Sequence, residues 1–254
     1  MQAAVKKIGI GAGTDTEKVL ASACQVGLPC DVVCYVRTGA VNGFPDHKNV
    51  RIHESESPEI SMISDLMSGA IDAAVRGTLP ANATLQALRN AAKVPRLERI
   101  ALLETAAGKK FLLAPVGIDE GWTVAEKLDL IKKGRNIALR FGLPSKVCIL
   151  SGGRLGDVGR HPRVDRTMAD AELVARLGDA VHGEILIEDA VESCGLIIAP
   201  DGISGNLIFR TLAFLGAGYG HGAPVVNIDK IFVDTSRASP DYTNALLLAA
   251  SLLE

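Results

Sequence analysis

Residues 233–244, VDTSRASPDYTN, place an arginine, several hydroxyl groups and a carboxylate between an apolar run and a final apolar helix. Local capping of that helix accounts for part of the composition, with Ser239 as N-cap, a proline at the first helical position and Asp241 favourable to the helix dipole. Capping gives no reason for Ser236 or Arg237. A hydroxyl and a guanidinium can both donate hydrogen bonds to an anion, and these two side chains are left without a structural explanation.

Arg76, Gly77 and Thr78 follow a predicted strand and precede a predicted helix. In open α/β sheets, ligands bind at the carboxyl ends of the strands. The N-terminus of a helix offers backbone N–H groups to an anion there, and an arginine adds a charged fork of donors. An exposed loop arginine without any ligand explains the same residues equally well.

Residues 152–166, GGRLGDVGRHPRVDR, concentrate four arginines against two aspartates. A solvated, mobile loop is the favoured interpretation of this run. The functional alternative is a phosphate clamp for a nucleotide-like tail, because planar guanidinium donors match phosphate oxygens. In that alternative, Arg154 and Arg160 are ligand-binding residues.

Residues 199–214, APDGISGNLIFRTLAF, run from a buried-looking strand through a turn into a helix. Asp201 or Ser204 can cap that helix. Capping does not explain Gly205 and Asn206 in the first turn, because glycine costs helix stability and asparagine is a weak helix former. Glycine does permit close approach of a backbone or ligand, so both residues are candidates for ligand binding.

A dinucleotide site is not indicated by the glycines near the start of the chain. Gly9, Gly11 and Gly13 give GxGxG, and Thr14 stands where the dinucleotide fingerprint has its third glycine. Asp31 precedes its strand, whereas the ribose-binding acid follows one. The five histidines show no metal-ligand spacing. We therefore expect a strand-to-helix turn here and no metal site, and no cofactor is firmly predicted.

Composition limits the classes of partner. The chain has 254 residues, 48% of them hydrophobic, and a formal net charge of -2, so it can fill a sizeable core but has no general attraction to nucleic acid or anionic membranes. The five cysteines lack CxxC spacing and resemble free buried thiols, which favours the cytoplasm. Neither a signal peptide nor a membrane span is predicted. The expected partner is a small anionic substrate held at a local site.

Short β-branched runs alternate with helical segments, the pattern of βαβ units around a mainly parallel sheet. A glycine-rich break at residues 151–165 suggests a lobe boundary. Strands are predicted at KIGIG (7–11), DVVCYV (31–36), DAAVRG (72–77), RIALLE (99–104), KFLLAP (110–115), KVCILS (146–151), EILI (184–187), CGLIIAP (194–200) and APVVNI (223–228).

Two long helices show the clearest end signals. The first is predicted to begin at a capping box formed by Thr123 and Glu126 and to stop at Gly142. The second is predicted to begin with Thr167 as N-cap and to stop at Gly178.

The order of motifs in the C-terminal third resembles the phosphate acyltransferase family, the phosphate acetyl- and butyryltransferases. The resemblance runs through HGEILIEDAV, CGLIIAPDGISGNLIFRTLAFLGAG and DTSRASPD, and more weakly through KVCILSGG and AAVRGT. Matching positions are held by Gly183, Asp189, Ala190, Pro200, Gly205, Asn206, Ser236, Arg237 and Asp241. The whole chain looks most like the MtxX group of methanogen proteins, a methanogenesis-marker group labelled methyltransferase-related.

The resemblance implies an α/β, two-lobed fold of the isocitrate/isopropylmalate-dehydrogenase type, with mainly parallel sheets, an active-site cleft between the lobes and a homodimer. Its lobes would be residues 1–147 with 232–254, and residues 148–231. Carried over by position, Arg237 would hold the phosphate or acyl carbonyl, Ser236 would donate a hydrogen bond, and Asp241 would be the base for a thiol such as that of coenzyme A. Asn206 would shape the same cleft.

Departures from the family pattern leave the reaction open. Phe209 and Arg210 replace the family's tyrosine and lysine, and the arginine-rich run replaces its loop. The first hypothesis is a phosphate acyltransferase-like protein that binds a phosphorylated or CoA-like ligand. The alternatives are a methyltransferase-related protein acting with a corrinoid or pterin methyl carrier, a non-catalytic ligand sensor and, least favoured, a metal- and NAD-dependent dehydrogenase.

Overall fold

The computed structural model describes residues 5–41, 43 and 47–254 of the chain. The chain divides into two compact units, the first formed by Met1–Leu97 with Gly222–Glu254 and the second by Glu98–His221. No helix in these described ranges is both long and apolar enough to cross a membrane.

Strands and helices alternate along the chain, as the sequence pattern predicts. In order they are β1 (Lys7–Ala12), α1 (Thr16–Gln25), β2 (Asp31–Arg37), β3 (Val50–Ser55), α2 (Pro58–Ser68), β4 (Ala73–Val75), α3 (Ala81–Ala92), β5 (Ala101–Glu104), β6 (Lys110–Ala114), α4 (Val124–Arg140), β7 (Val147–Ile149), α5 (Pro162–Leu177), β8 (Val181–His182), α6 (Ile187–Ser193), β9 (Leu196–Ile198), α7 (Gly202–Arg210), β10 (Tyr219–Pro224), β11 (Ile231–Asp234) and α8 (Thr243–Ser251). A 3₁₀ turn covers Leu155–Asp157, and a π-helical turn, Thr211–Leu215, continues α7.

The sheet of the first unit is parallel over the order β3-β2-β1-β4-β11. β11 lies beside β4, with Ile231 opposite Ala73 and Val233 opposite Val75. The end of β10 pairs antiparallel with β11. Because β11 comes from the end of the chain, the first unit is discontinuous in sequence, and the second unit lies between its two segments.

The core of the first unit is built from apolar residues of these strands and of α2. Tyr35, Met62, Leu66 and Phe232 are completely buried in one cluster. Burial of each such side chain contributes about 1.5–3 kcal/mol, and the amphipathic pattern of the elements places these side chains on the faces that meet.

The sheet of the second unit has the order β5-β6-β9-β7-β8. β5 and β6 form an antiparallel hairpin, whereas β6, β9, β7 and β8 are parallel to their neighbours. The expected mainly parallel α/β architecture is therefore present. The units are divided at Leu97–Glu98 and His221–Gly222, whereas the expected lobes were divided near residues 148 and 231. The first difference arises because β6 pairs with β9 in the second sheet, and the second because Ala223 and Pro224 pair with β11 in the first.

Two strands lie at other residues than predicted. EILI was predicted as a strand, but the strand is Val181–His182, and Glu184 has a left-handed backbone with φ of 56° that ends it. APVVNI was also predicted as a strand, whereas β10 covers Tyr219–Pro224. The sequence interpretation missed β3 and β11 altogether.

Helix caps show where local signals succeed. Thr123 accepts a hydrogen bond from the Glu126 amide, as predicted, whereas the Glu126 carboxylate accepts one from the Trp122 amide. The second long helix begins earlier than expected, with His161 as N-cap. Thr167 lies inside that helix, and its hydroxyl oxygen accepts from the Gly152 amide at 2.8 Å instead of capping the helix.

Candidate functional site

Arg76 lies at the end of β4 and is buried, with 5% of its surface exposed. Its Nε donates to Asp234 Oδ1 at 2.5 Å, and its Nη1 donates to the Leu79 carbonyl at 2.9 Å. It is therefore not the exposed loop arginine that the sequence also allowed. Within the first unit its charge is matched by Asp234, so the pair joins the carboxyl ends of β4 and β11.

Gly77 and Thr78 shape the turn after Arg76. Gly77 has φ of +59°, and a Cβ there would lie 2.0 Å from the Gly11 carbonyl oxygen. The Thr78 hydroxyl oxygen accepts from the Gly13 amide at 2.9 Å. The early glycine motif is thus explained by close packing of two turns, as the strand-to-helix interpretation predicted.

Thr235, Ser236 and Arg237 follow β11. The Thr235 hydroxyl donates to the Gly77 carbonyl at 3.0 Å, and the Ser236 hydroxyl oxygen accepts from the Ala238 amide at 3.2 Å. The Arg237 side chain is exposed, and within the described part of the chain its guanidinium forms no hydrogen bond or ion pair. Arg237 is therefore the cation of this segment that remains available to a ligand.

Lys18 on α1 holds this segment in place, which sequence reasoning missed. Its Nζ donates to the carbonyls of Arg237, at 3.3 Å, and Ser239, at 3.0 Å. The Tyr242 hydroxyl adds a bond to the Ser236 carbonyl at 3.1 Å. No local sequence signal connects Lys18 with a loop more than two hundred residues later.

Two roles were expected for Asp241, one at the start of the last helix and one as a base, and the structure shows the first. Its Oδ1 accepts from the Thr243 amide at 2.9 Å at the start of α8. The prediction of Ser239 as N-cap is wrong, because the helix begins at Thr243 and the amide of Ser239 closes a turn onto the Ser236 carbonyl. The carboxylate of Asp241 is exposed, and its role as a base stays a prediction.

Gly205 and Asn206 acquire a structural explanation in the second unit. A Cβ at Gly205 would lie 1.9 Å from the Pro115 carbonyl oxygen, so only glycine lets α7 approach the end of β6. The Asn206 amide donates to the Val116 carbonyl at 3.0 Å. Asp201 caps α7 as predicted, accepting from the Ser204 amide at 2.8 Å.

A buried ion pair that the sequence did not reveal supports the same turn. Arg99 Nε donates to Glu120 Oε1 at 2.7 Å, and the Glu120 carbonyl accepts from the Gly202 amide at 3.1 Å. Burial raises the pKa of the Glu120 carboxyl, against the opposing charge of Arg99. The pair therefore anchors the residues before α4 to the start of α7.

Lys127 on α4 is a buried amine, with 5% of the residue exposed. No ion pair is formed by its Nζ within the described part of the chain. Burial lowers its pKa, although the charges of Asp170 and Asp201 oppose that change. Within the described ranges, no group of histidine, cysteine and acidic side chains is arranged to hold a metal ion.

The arginine-rich run folds around a pocket of about 500 Å³ at the carboxyl end of β7. Of its four arginines, Arg154 and Arg160 line the pocket together, while Arg166 pairs instead with Asp170 on the same helix at 3.0 Å. The lining is Gly152, Gly153, Arg154, Asp157, Arg160, His161, Val164 and Ile185.

The charge of this pocket is predominantly positive. Asp157 accepts from the Arg154 amide at 2.9 Å and from Arg160 Nη1 at 2.6 Å, and these bonds hold the pKa of its carboxyl below the usual range. The Arg154 guanidinium has no ion-pair partner among the described residues. The amide of Gly153, a buried residue, donates to no acceptor in the same ranges, so the pocket offers both a charge and a backbone donor to an anion.

Next to the pocket lies a chain of three polar side chains that sequence reasoning also missed. Ser151 Oγ is 2.8 Å from His182 Nε2, and His182 Nδ1 is 2.7 Å from Glu172 Oε1. The residues come from the ends of β7 and β8 and from α5. The sequence shows only a serine at the end of a predicted strand and before two glycines.

Solved structures share this fold. The chain matches a branched-chain phosphotransacylase from Enterococcus faecalis with a TM-score of 0.73, 17% identity and coverage of 98% of this chain and 100% of the other. A phosphotransacetylase from Streptococcus pyogenes matches with a TM-score of 0.70, 17% identity and coverage of 98% and 94%. Isocitrate dehydrogenase from Methylococcus capsulatus matches with a TM-score of 0.54, 11% identity and coverage of 98% and 85%. The predicted fold class is thereby confirmed.

Relatives found by sequence have a much higher identity to this chain than these solved structures do. "Putative methyltransferase mtx subunit X" from Methanosarcina barkeri is 50% identical over 208 residues, covering 80% of this chain and 77% of the relative. The protein of the same name from Methanosarcina acetivorans is 51% identical over 209 residues, covering 80% and 75%. No protein-family model matches the chain. At this identity and coverage, the chain belongs to the mtx subunit X (MtxX) family.

Proposed function

We propose that this protein is a phosphate acyltransferase-like protein that binds a phosphorylated or CoA-like small molecule. The observation that carries the proposal is the pocket lined by Arg154 and Arg160 at the carboxyl end of β7. This is the end of a parallel strand at which ligands of α/β proteins bind.

The chemistry of the pocket fits a phosphoryl group. Arg154 supplies an unmatched guanidinium, Arg160 a second that is shared with Asp157, and Gly153 a backbone N–H. Guanidinium forks and free backbone amides are the donors that proteins use for phosphate oxygens. A cavity of about 500 Å³ lies within the size range of small-molecule pockets.

A second group of residues in the first unit is proposed for the acyl-transfer step. Arg237 would neutralise the developing charge, Ser236 would donate a hydrogen bond, and Asp241 would accept the proton of the attacking thiol. The exposed guanidinium of Arg237 and the exposed carboxylate of Asp241 support these roles. The thiol sulfur would form the new bond to the acyl carbon as the phosphate oxygen leaves.

The remaining proposed ligand-binding residues act through the backbone they shape. Arg76, Gly77 and Thr78 order the turn that receives Thr235, and Gly205 and Asn206 fix the start of α7.

We also propose a homodimer, as the resemblance implies. Light scattering at several protein concentrations would contradict this if it gave only the monomer mass.

Ligand binding and turnover test the proposal directly. Acetyl phosphate, butyryl phosphate, acetyl-CoA and CoA should each be examined by thermal shift and in an acyl-transfer assay. We expect at least one to bind, and Arg154→Ala and Arg160→Ala to weaken that binding by about tenfold each. Arg166→Ala is the matched control because Arg166 pairs with Asp170 and does not line the pocket. Absence of binding and turnover in the folded protein would refute the proposal.

The names of the relatives favour a second candidate, methyl transfer. In this candidate the methyl group would be carried by a corrinoid or a pterin. Methyl transfer from a methylated carrier, or copurified cobalamin, would support this candidate. A non-catalytic ligand sensor is the third. It predicts that ligand binding persists in Asp241→Asn while the wild-type protein turns over none of the four compounds.

A further inference from the structure

The side chains of Ser151, His182 and Glu172 form a continuous hydrogen-bonded chain within the second unit. Ser151 is 2% exposed, and the His182 and Glu172 side chains are 6% and 56% exposed. The chain therefore runs from a buried hydroxyl to a carboxylate that reaches solvent. Its buried end directly precedes Gly152 and Gly153, which line the arginine pocket.

Counting hydrogens assigns the protonation state of the imidazole. The Gly153 carbonyl, 2.9 Å from Ser151 Oγ, can only accept, so the Ser151 hydroxyl donates to it. His182 Nε2 must then donate to Ser151 Oγ, since the hydroxyl has only one hydrogen. His182 Nδ1 faces a carboxylate, which also can only accept. These partners are all satisfied when both ring nitrogens carry a hydrogen, which is the charged imidazolium form.

The surroundings of His182 are compatible with that charge. β7 and α5 pack against β8. From β7, burial raises the pKa of the Cys148 thiol to about 12, which keeps it neutral. From α5 comes Glu172, with Arg176 one turn further on, and Glu184 follows His182 in the next turn with its carboxylate bound to the Leu155 amide. On the pocket side, the charged groups are Arg154, Asp157 and Arg160.

The order serine, histidine and carboxylate is also that of nucleophilic hydrolases, but the geometry opposes this use. A nucleophilic hydroxyl must donate to the histidine and face the substrate. Here the hydrogen of Ser151 points to the Gly153 carbonyl, and the residue is almost completely buried. The three residues are better suited to position the Gly152–Gly153 backbone than to attack a substrate.

We propose that Ser151, His182 and Glu172 are positioning residues that make anion binding in the arginine pocket depend on a proton held by His182. This inference rests on the proposed function of that pocket. When His182 releases the Nε2 proton to solvent, the Ser151 hydrogen turns to Nε2. The Gly153 carbonyl then faces a hydroxyl oxygen with no hydrogen between them, which displaces the peptide group between Gly153 and Arg154 in the pocket lining, and a positive charge behind the pocket is lost. The ligand class is a phosphoryl or similar oxyanion group.

Sulfate is the probe for the test, because its charge does not change over the relevant pH range. Its affinity should be measured calorimetrically at constant ionic strength between about pH 5 and pH 8, where histidine changes charge. We expect the wild-type affinity to fall by about tenfold as the pH rises, a usual size for coupled sites. In a His161→Gln background, which removes the histidine that lines the pocket, His182→Gln should bind with the same affinity at both ends of the range.

Two matched variants distinguish the contributions of other residues to sulfate binding and to its pH dependence. His161→Gln removes the titratable side chain that lines the pocket itself, so the pH dependence that remains in this variant is the part due to His182. Arg154→Ala should weaken sulfate binding at every pH. If the wild type binds no sulfate at either pH, the pocket itself is refuted and the proposed function with it. If binding by His161→Gln is independent of pH, or if a dependence survives when His182→Gln is added to that variant, the coupling alone is overturned.

Nuclear magnetic resonance of the imidazole nitrogens reports their protonation directly. A purely structural role of His182 would not require a proton on both nitrogens. In the free wild-type protein near pH 6, both nitrogens of His182 should be protonated, and Glu172→Gln should shift the ring towards its neutral form. A neutral His182 in the wild type would overturn the proposal. So would covalent labelling of Ser151 by a fluorophosphonate, since that would identify the hydroxyl as a nucleophile.

Discussion

Arg76 and Asp234 form a buried ion pair at 2.5 Å between residues that lie 158 positions apart in the chain. Their side chains are 6% and 12% exposed. The pair joins the end of β4 to the end of β11, immediately before the loop that carries Ser236 and Arg237. The same contact therefore fixes the last strand of the first sheet and the position of a proposed catalytic loop.

Removing one partner of this pair should destabilise the first unit strongly. We predict that Asp234→Asn lowers the free energy of unfolding by about 3 kcal/mol, because it leaves a buried guanidinium without its counter-charge. Urea denaturation measures the change. The control is Lys6→Gln, which breaks the more exposed pair with Asp72 and should cost less than about 1 kcal/mol. Equal effects of the two substitutions would contradict the structural role of Arg76.

Gly205→Ala should be costly because the new methyl group has no space. A Cβ would lie 1.9 Å from the Pro115 carbonyl oxygen, so the start of α7 must move away from β6. We predict a loss of about 2 kcal/mol in the free energy of unfolding. Gly156→Ala, where a Cβ would meet nothing within 4 Å, is the control and should be nearly neutral. A neutral Gly205→Ala would show that α7 can retreat without cost.

Asp241→Asn should separate the two roles of Asp241. Asparagine can still accept the hydrogen bond from the Thr243 amide, so stability should change by less than about 0.5 kcal/mol. It cannot act as a base, so acyl transfer should fall by about a hundredfold or more. Denaturation and turnover are measured on the same preparation. Unchanged turnover, in a protein with measurable acyl transfer, would remove Asp241 from the proposed mechanism.

Lys127→Met should stabilise the protein at neutral pH. Burial lowers the pKa of the Lys127 amine, so the unfolded chain binds its proton more tightly than the folded protein does. The wild type consequently gains stability as the pH rises from the lowered pKa towards the usual value near 10.4, and loses that gain at lower pH. The advantage of the methionine variant should therefore shrink between pH 7 and about pH 10. Urea denaturation at both values tests this, and a less stable variant at pH 7 would contradict it.

The sequence by itself determined the features whose causes are local. Alternation of β-branched and helical runs predicted the α/β class, and the side chains of Thr123 and Asp201 cap helices as predicted, because a cap needs only a neighbour three residues away. The density of arginines in residues 152–166 also pointed to Arg154 and Arg160, which do share a pocket. It did not distinguish them from Arg166, which pairs along its own helix.

Only the tertiary structure decided which distant residues meet. Sheet register brings β11 beside β4 and so pairs Asp234 with Arg76, and it brings His182 on β8 beside Ser151 after β7. The requirement for glycine at position 205 comes from a carbonyl ninety residues earlier in the chain, and no local pattern encodes it. These contacts depend on strand order and on the packing of whole elements, which short-range spacing does not specify.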